Sequence, residues 1–377
     1  MYDSDSEYYE GSAVLGTCCN GAGSVHLARY KPKNTFVVIK KFNMDNRTHE
    51  EYDLVEQEIL MTRQLQHPNI LPYLATFVSG HNICVVSPLM GYGSCNDLIN
   101  EYFQEGLPEI AIAYILRDTL QGLDYIHKRG FIHRAIKASH ILISTSGQAC
   151  LSGMRYACEI VSHGKWQKTI HSFPKSTANN LKWLSPELLQ QDLHGYNEKS
   201  DTYSLGMTIC ELANGVVPFC DTSATLMLTE KVRGSAPHIL DRSTFPANTM
   251  DIEDPAENGE TKLVCDKITG DRSASSGSLD TARARLHNMS NRKFSEPFHA
   301  ITELCLQKNP SDRPTMNQLS AHPFFKQCRK HDETLNEILR CVVPISEKHI
   351  HSAGDYLVAI STEQLVDLDL ETCQWDF

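Results

Sequence analysis

The first residues that can do chemistry are a lysine and a glutamate that come after a glycine-containing turn. Gly16 and Gly21 lie in this turn, between two apolar runs. Lys40 ends a β-branched run, and Glu58 falls in a helically spaced segment. An ammonium group held by a carboxylate can reach the phosphates of a nucleotide. Singly, each residue is more often structural, because hairpins use glycine and charged side chains usually point to water. A phosphate-binding function therefore depends on the motifs that accompany them.

Further motifs complete an order that is typical of protein kinases. After Glu58 the chain reads His67-Pro68-Asn69-Ile70, as kinase small lobes do. The later matching runs are Ile132-His133-Arg134 with Lys137, Ser185-Pro186-Glu187, Asp201 to Gly206, and Arg313-Pro314. Together they resemble a protein kinase over residues 9–327. The resemblance implies an α+β, bilobal kinase-like fold, with a β-rich small lobe and an α-helical large lobe.

Two sets of matching residues are architectural in kinases and touch no substrate. The resemblance implies that Glu187 pairs with Arg313 across the large lobe. It also implies that Asp201 accepts backbone N–H groups from the loop that holds His133 and Arg134. We therefore expect a properly folded large lobe.

The residues that would transfer a phosphoryl group are missing from this framework. The kinase catalytic loop reads H-R-D-x-K-x-x-N, and here Ala135 replaces its aspartate and His140 its asparagine. Gly153 stands at the aspartate of the D-F-G motif and has no side-chain oxygen for Mg²⁺. Cys18 replaces the second glycine of the turn. A methyl group cannot accept a proton. We predict no catalytic residue, no metal site and no ordinary kinase activity.

Nucleotide binding can survive these losses. Arg155, a permanent cation, can offset phosphate charge without a metal ion, helped by Lys137 and His140. In the hinge, Pro88 keeps the carbonyl and Met90 the N–H that adenine needs. The predicted nucleotide-binding residues are Leu15, Gly16, Thr17, Cys18, Cys19, Asn20, Gly21, Ala22, Gly23, Val25, Val38, Lys40, Glu58, Pro88, Met90, Lys137, His140, Leu142 and Arg155. We predict ATP as a structural ligand, and the alternative is an empty or self-filled cleft.

Composition is that of a soluble globular protein. The chain has 377 residues, 41% of them hydrophobic, and a net charge of -11. An acidic chain argues against nucleic acid or an anionic membrane as the main partner. The 13 cysteines are scattered and form no C-x-x-C pair, which favours reduced core thiols over a zinc or redox site. The acidic N-terminus is unlike a signal peptide, and no apolar run approaches the about 20 residues that span a bilayer. We expect a soluble intracellular protein.

Periodicity divides the chain into two lobes, an insertion and a tail. The small lobe shows strand patterns and one helix at 51–65, whereas long apolar stripes such as 110–127 predict helices beyond it. The insertion is rich in serine and arginine and poor in large apolar residues. The predicted organisation is a flexible N-terminus at 1–8, a kinase-like domain at 9–327 with a disordered insertion at 246–293, and a C-terminal tail at 328–377.

Longer runs narrow the resemblance to one family. They span residues 25–32, 133–144 and 151–153, with shorter matches at 162–164, 173–175, 183–187 and 195–196. On these runs the chain resembles the STRAD pseudokinases, the sterile-twenty-related adaptors of the STE group. In that family the pseudokinase binds and activates liver kinase B, and a helical-repeat scaffold of the calcium-binding protein thirty-nine family completes the complex. The resemblance also implies a cytoplasmic location, with the nucleus as the second compartment.

Two aromatic pairs are the candidate partner contacts. The family's C-terminal Trp-Glu-Phe docks on the scaffold, and Trp375 and Phe377 match its aromatic residues, with aspartate between them. Trp166 and Phe173 lie among lysines in the segment 153–187, the counterpart of an activation loop, and suit a partner surface. The alternatives are that the C-terminal pair packs back on this chain and that the loop is only solvated.

Activation by shape is the mechanism that this resemblance implies. A partner kinase samples active and inactive states, and an adaptor that binds the active state better raises its population. ATP in the cleft would fix the angle between the lobes. Two rivals stay open: a weak or atypical serine/threonine kinase that uses a carboxylate elsewhere, and a scaffold for a different client.

Overall fold

The small lobe is a five-stranded antiparallel sheet whose register decides which side chains reach the cleft. Its strands are β1 (Tyr9–Cys18), β2 (Gly23–Tyr30), β3 (Thr35–Asn43), β4 (Ala75–Ser79) and β5 (Asn82–Pro88), in the order β1-β2-β3-β5-β4. Val25 pairs with Lys40, and Val38 pairs with Ser87. Because alternate residues share a face, these four side chains point to the same side of the sheet.

One long helix, α1 (His49–Gln64), packs against this sheet. Thr48 and Glu51 form a reciprocal capping box, which starts the helix two residues before the predicted position. Val55 and Ile59 are buried against Phe42 of the sheet. The helix predicted at 51–65 is thereby confirmed, and its burial fixes the position of Glu58 on the next turn.

Helices make up most of the large lobe, and short strand pairs hold its loops. The helices are α2 (Cys95–Glu101), α3 (Glu109–Lys128), α4 (Pro186–Leu189), α5 (Lys199–Asn214), α6 (Ala224–Arg233), α7 (Glu296–Cys305), α8 (Met316–Ser320), α9 (Gln327–Lys330) and α10 (Leu335–Ile338). The strands are β6 (Gly93–Ser94), β7 (Phe131–Ile132), β8 (Ile141–Ile143), β9 (Ala149–Leu151), β10 (Cys158–Glu159), β11 (Val161–Ser162) and β12 (Lys165–Trp166). The predicted α+β bilobal architecture is confirmed.

This computed structural model describes residues 2–18, 21, 23–45, 48–174, 179–220, 222–244, 288–330 and 333–348. Within those ranges, no helix combines the length and the apolar composition needed to cross a membrane. The core of the large lobe centres on α3, with Ile112, Ile115 and Leu116 almost inaccessible to solvent.

The two architectural predictions for the large lobe are confirmed. Arg313 donates from Nη1 and Nη2 to the two carboxylate oxygens of Glu187, at 2.7 and 2.9 Å. The carboxylate of Asp201 accepts the backbone N–H groups of His133 and Arg134, both at 2.8 Å. Asp201 is fully buried, so these bonds fix the loop that comes after β7.

Described residues of the predicted flexible N-terminus, 1–8, contact the sheet of the small lobe. The ring of Tyr2 lies 4.7 Å from that of Tyr30, and Asp3 accepts a hydrogen bond from the Tyr30 hydroxyl. The Tyr9 hydroxyl donates to the Asp3 carbonyl at 2.5 Å. Burial raises the pKa of Tyr9 to about 12. The acidic residues had suggested solvent, but the tyrosines between them pack on the sheet.

The boundaries of the insertion and of the tail also need correction. Met289, inside the predicted insertion, is fully buried, and Arg292 donates from Nε to the Leu240 carbonyl at 2.8 Å. Leu335 and Leu339, inside the predicted tail, belong to the core of the large lobe. Burial of these few apolar residues outweighs the polar composition around them. The insertion at 246–287 and the tail beyond 348 lie outside the described residues.

Candidate functional site

A cleft of about 700 Å³ lies between the lobes. β1, β2, β3 and α1 line it from above, and β8 and the segments around Lys137 and Arg155 line it from below. The described residues that the sequence predicted for nucleotide binding all line this cleft, except Gly23. A Cβ on Gly23 would lie 2.8 Å from Cys18 Sγ and from the Phe42 ring. This glycine therefore packs against those side chains and does not line the cleft. Cys19, Asn20 and Ala22 lie outside the described residues.

The inner end of the cleft is built on a buried ion pair. Lys40 Nζ donates to Glu58 Oε1 at 3.0 Å and to the Tyr73 hydroxyl at 3.3 Å. Tyr73 in turn donates to Glu58 Oε1 at 2.5 Å. Burial alone would raise the pKa of Glu58, yet the Lys40 ammonium and the Tyr73 hydroxyl hold it at about 2. The pair is therefore charged, and it keeps α1 next to the sheet.

Tyr73 is a site residue that sequence reasoning missed. It lies in the irregular stretch before β4, and no motif marks it. Burial and the neighbouring Glu58 carboxylate raise the pKa of Tyr73 well above its ordinary value, so it stays a neutral donor. Its hydroxyl gives Glu58 a second partner besides Lys40.

The imidazole of His140 fills the space that a side chain at position 153 would occupy. A Cβ built on Gly153 would lie 2.6 Å from His140 Nδ1 and 2.8 Å from the ring carbons, and Gly153 has φ +87°. Nδ1 donates to the Ala135 carbonyl at 2.6 Å. Burial, and then the nearby Lys137 ammonium, hold the pKa of His140 well below its usual range. A neutral ring therefore takes the space that an aspartate side chain would need.

This end of the cleft does not fit Mg²⁺. The ion takes oxygen ligands, mainly carboxylates, in near-octahedral geometry. Ala135 and Gly153 offer no side-chain oxygen, and the nearby Glu58 carboxylate is already bonded to Lys40 and Tyr73. Among the described residues, the donor set at this end of the cleft therefore does not suit Mg²⁺.

Cations dominate the part of the cleft where phosphates would lie. Arg155 is 7% exposed, lines the cleft, and places its guanidinium 4.9 Å from the Tyr156 ring. Lys137 also lines the cleft, but its Nζ donates to the Asn179 carbonyl at 3.3 Å and lies 5.3 Å from the Trp183 ring. With Lys40 these cations outnumber the Glu58 carboxylate, which suits a polyanion.

The hinge side of the cleft is apolar. Val25 and Val38 project from the sheet, and Leu142 projects from β8 on the other side. Pro88 and Met90 lie between them, and Met90 is 7% exposed. An apolar slot bounded by backbone polar groups has the chemistry that a purine base needs.

The counterpart of the activation segment is held in place by Arg134, whose guanidinium donates to neutral acceptors. Arg134 donates to the carbonyls of Tyr156 and Ser172, at 2.6 and 3.1 Å, and to the Tyr196 hydroxyl at 3.0 Å. Tyr196 donates to the Ser172 carbonyl at 2.5 Å, and its backbone exchanges two hydrogen bonds with Ile170. The segment is thus fixed to the start of α5 without a phosphate group.

The predicted partner residues occupy different environments. Trp166, at the end of the β11–β12 hairpin, is 60% exposed. Phe173 is only partly exposed, because its ring packs 5.8 Å from that of Tyr196. Trp375 and Phe377 lie outside the described residues.

This fold and cleft define the class of the chain as a protein kinase domain. The family model described as "Protein kinase domain" matches residues 11–325, so the chain belongs to that family.

Relatives narrow the class further. STE20-related kinase adapter protein alpha of Mus musculus is 42% identical over 370 residues, which cover 98% of this chain and 84% of that protein. The alpha protein of Gallus gallus is 43% identical over 343 residues, 91% of this chain and 87% of that protein. The beta protein of Homo sapiens is 40% identical over 341 residues, 90% of this chain and 80% of that protein. The chain belongs to the STE20-related kinase adapter proteins, which confirms the resemblance and supports a pseudokinase adaptor role.

Proposed function

We propose that this chain is a catalytically inactive adaptor that binds ATP without a metal ion and activates a partner serine/threonine kinase of the liver kinase B type. A helical-repeat scaffold of the calcium-binding protein thirty-nine type completes the complex, and the complex retains the kinase in the cytoplasm. The observation that carries the proposal is the His140 ring in the space of the Gly153 side chain. The ring takes the space that a metal-binding side chain at position 153 would need, and it leaves the rest of the cleft open to a ligand.

Loss of phosphoryl transfer is a consequence of the groups at the inner end of the cleft. Transfer needs a carboxylate near the attacking hydroxyl and a metal ion that neutralises the phosphates. Position 135 carries a buried methyl group, and the neutral His140 imidazole donates to its carbonyl. The methyl group cannot accept the proton of a substrate hydroxyl, the lowered pKa of His140 makes its ring a weak base, and neither group supplies the oxygen ligands that Mg²⁺ takes.

ATP binding is supported by the groups that remain. The Lys40–Glu58 pair is formed at 3.0 Å, and Arg155 brings a second permanent charge to the same end of the cleft. The apolar slot at the hinge can take the base. Direct neutralisation by these side chains replaces the neutralisation that Mg²⁺ provides in an active kinase.

A thermal-shift titration with ATP tests the ligand and its independence from metal. We expect the same rise in melting temperature with Mg²⁺ and with EDTA, because the cleft offers no metal ligands. Saturation at about 100 times Kd stabilises the fold by about 2.7 kcal/mol. Lys40→Met should abolish most of the shift. Lys41→Met is the matched control, because Lys41 pairs with Cys84 on the other face of the sheet. No shift in either condition would contradict ATP binding.

Activation of the partner is proposed to work through shape. The segment between Gly153 and Glu187 is ordered by Arg134 and Tyr196 and presents the exposed Trp166 next to Lys165. A preformed surface costs less conformational entropy on binding than a flexible one. An adaptor that binds the active state of its partner 100-fold more tightly shifts that equilibrium by about 2.7 kcal/mol.

Co-purification from cells and reconstitution test the partners. The adaptor should co-purify with a liver kinase B type kinase and with the helical-repeat scaffold, and it should raise the activity of the purified kinase. Trp166→Ala should weaken the kinase interaction, and deletion of residues 375–377 should weaken only scaffold capture. Tyr8→Ala is a control for loss of an exposed aromatic side chain, because Tyr8 is 42% exposed and comes directly before β1 of the small lobe. Co-purification with a different kinase would make this a scaffold for another client.

The weak-kinase alternative has one observation in its favour, the intact Lys40–Glu58 pair. Phosphate transfer to a peptide by the purified chain, lost in Lys40→Ala, would establish it and overturn the proposal.

A further inference from the structure

A C-terminal segment outside the matched kinase domain packs against the cleft. The family match ends at residue 325, and the strap, defined as residues 333–348, comes after it. The strap begins with the capping box of Thr334 and Glu337 and continues into α10. Leu335, Leu339 and Val342 are at most 5% exposed and join the core of the large lobe. The strap is therefore built into the fold.

Polar contacts fix the strap to the hinge side of the cleft. The backbone N–H of Ile345 donates to the carbonyl of Gly91 at 2.8 Å, one residue past Met90. The Tyr92 hydroxyl donates to Asn336 Oδ1 at 2.5 Å. These bonds join the strap to the backbone that would hold a purine.

A salt bridge fixes the C-terminal end of the strap. Lys348 Nζ lies 2.5 Å from Glu101 Oε2 and 5.1 Å from the centre of the Tyr102 ring. Glu101 and Tyr102 lie at the end of α2, at the mouth of the cleft. The strap thus runs along the cleft from the hinge to its mouth.

The strap contributes lining to the same cavity as Lys40. Val342, Val343, Ile345 and Lys348 all line it. Val343 is apolar yet 43% exposed. A Cβ on Gly93 would lie 3.6 Å from Ile345 Cδ1, which is ordinary contact, so the strap packs closely on the chain beyond the hinge.

The strap and the phosphate-binding end lie on opposite sides of the hinge. Lys40 pairs with Val85, and Gly91 contacts the strap. The stretch of chain from Val85 to Gly91 spans up to about 20 Å when extended, with the hinge in the middle. A nucleotide whose phosphates reach Lys40 and Arg155 therefore turns its nucleoside toward the strap.

We infer that the strap is the outer wall of the nucleotide site and contacts the nucleoside part of the ligand. The inference rests on the proposed function and adds residues beyond the kinase domain to it. Apolar side chains such as Ile345 and Val343 stabilise a bound base and sugar by removing their apolar surface from water. They do not stabilise a bound phosphate. A change in the strap therefore lowers the affinity for adenosine and for ATP by the same factor. A change at Lys40 lowers the affinity for ATP far more than for adenosine.

Isothermal titration of the full chain with adenosine and with ATP tests this difference. Ile345→Ala and Tyr92→Phe should each weaken both ligands equally, by about threefold to tenfold. Tyr125→Phe is the matched control for Tyr92→Phe, because its hydroxyl accepts from the Gln66 N–H at 3.1 Å, away from the cleft lining. Lys40→Met should lower ATP affinity and leave adenosine affinity near the wild-type value.

A charge exchange gives a second test that does not depend on removing packing. Lys348→Glu should weaken adenosine binding through repulsion from Glu101, and the double variant with Glu101→Lys should restore it. If the wild type binds neither ligand, the nucleotide site and the strap inference are both wrong. If it binds both and the strap variants keep wild-type affinities, or weaken only ATP, the strap inference alone is overturned.

Discussion

The framework of the large lobe and the inner end of the cleft have diverged to different degrees from an active kinase. The framework keeps its buried charges, with Arg313 bidentate to Glu187 and Asp201 bonded to the backbone of His133. The inner cleft carries the methyl group of Ala135, and Gly153 faces the imidazole ring of His140. The buried charges of the framework are paired, whereas the inner cleft lacks the side-chain oxygens of a catalytic site. This contrast also gives an order of expected effects.

The largest effect should come from breaking the framework. Arg313→Ala leaves the Glu187 carboxylate buried without its partner, which costs about 3–5 kcal/mol. Chemical denaturation measures this loss. Arg340→Ala is the matched control, because Arg340 is 77% exposed in its side chain and its pair with Glu337 contributes at most about 0.5 kcal/mol. Equal losses in the two variants would contradict a framework role for Arg313.

The next effect should come from an attempt to restore the metal ligand. Gly153→Asp brings a Cβ within 2.6 Å of His140 and places a side chain at φ +87°. We expect a loss of about 2–4 kcal/mol from clash and backbone strain, without a gain of Mg²⁺-dependent ATP binding. Melting temperatures with and without Mg²⁺ measure both outcomes.

A second glycine separates the clash from the strain. Gly164 has φ +72° and nothing within 4 Å of a Cβ, so Gly164→Asp reports strain alone. Gly153→Asp should lose about 1–3 kcal/mol more than Gly164→Asp because of the clash. Adding His140→Asn to Gly153→Asp should recover this difference. No recovery would show that the imidazole does not fill the site.

A smaller effect should appear where the framework meets the partner segment. Tyr196→Phe removes the hydroxyl that joins Arg134 to the Ser172 carbonyl, at a cost of about 1–2 kcal/mol. Hydrogen exchange in residues 157–174 should accelerate, and activation of the partner kinase should fall. Tyr125→Phe should leave exchange in that range unchanged. Unaltered protection in Tyr196→Phe would show that the hydroxyl does not hold the segment.

At neutral pH the smallest effect comes from His140, whose contribution to stability changes only as the pH is lowered. Burial lowers the pKa of His140, so the unfolded chain binds this proton more readily than the folded one. The contribution to stability is fully present above the unfolded pKa of about 6.5, and it is lost as pH falls below that value. His140→Asn should flatten the decline in unfolding free energy between pH 6.5 and 5 by up to about 1.4 kcal/mol per pH unit. His49→Asn, at an exposed position, should leave the decline unchanged.

Sequence reasoning reached the fold and most of the cleft because those features depend on local spacing. The β-branched run ending in Lys40, the helix of Glu58 and the loop around His133 each carry their signal within a few residues. His140 and Gly153 are 13 residues apart in the sequence. The His140 ring occupies the space next to Gly153 where a side chain would otherwise lie, and no local spacing in the sequence indicates this.

The strap and Tyr73 could not be predicted for a different reason. The strap bonds to the Gly91 carbonyl through a backbone N–H, and any residue except proline offers that group. Tyr73 lies in an irregular stretch without periodicity, where a tyrosine has no preferred partner. Their roles arise from contacts between residues far apart in the sequence, and such contacts have no characteristic spacing by which they could be recognised.

The bonds of Arg134 have a consequence for how cells could control this protein. Its guanidinium is bonded to two carbonyls and a phenol, so no acidic modification is needed to hold the segment in place. A phosphate group placed near this guanidinium would have to compete with bonds that are already made.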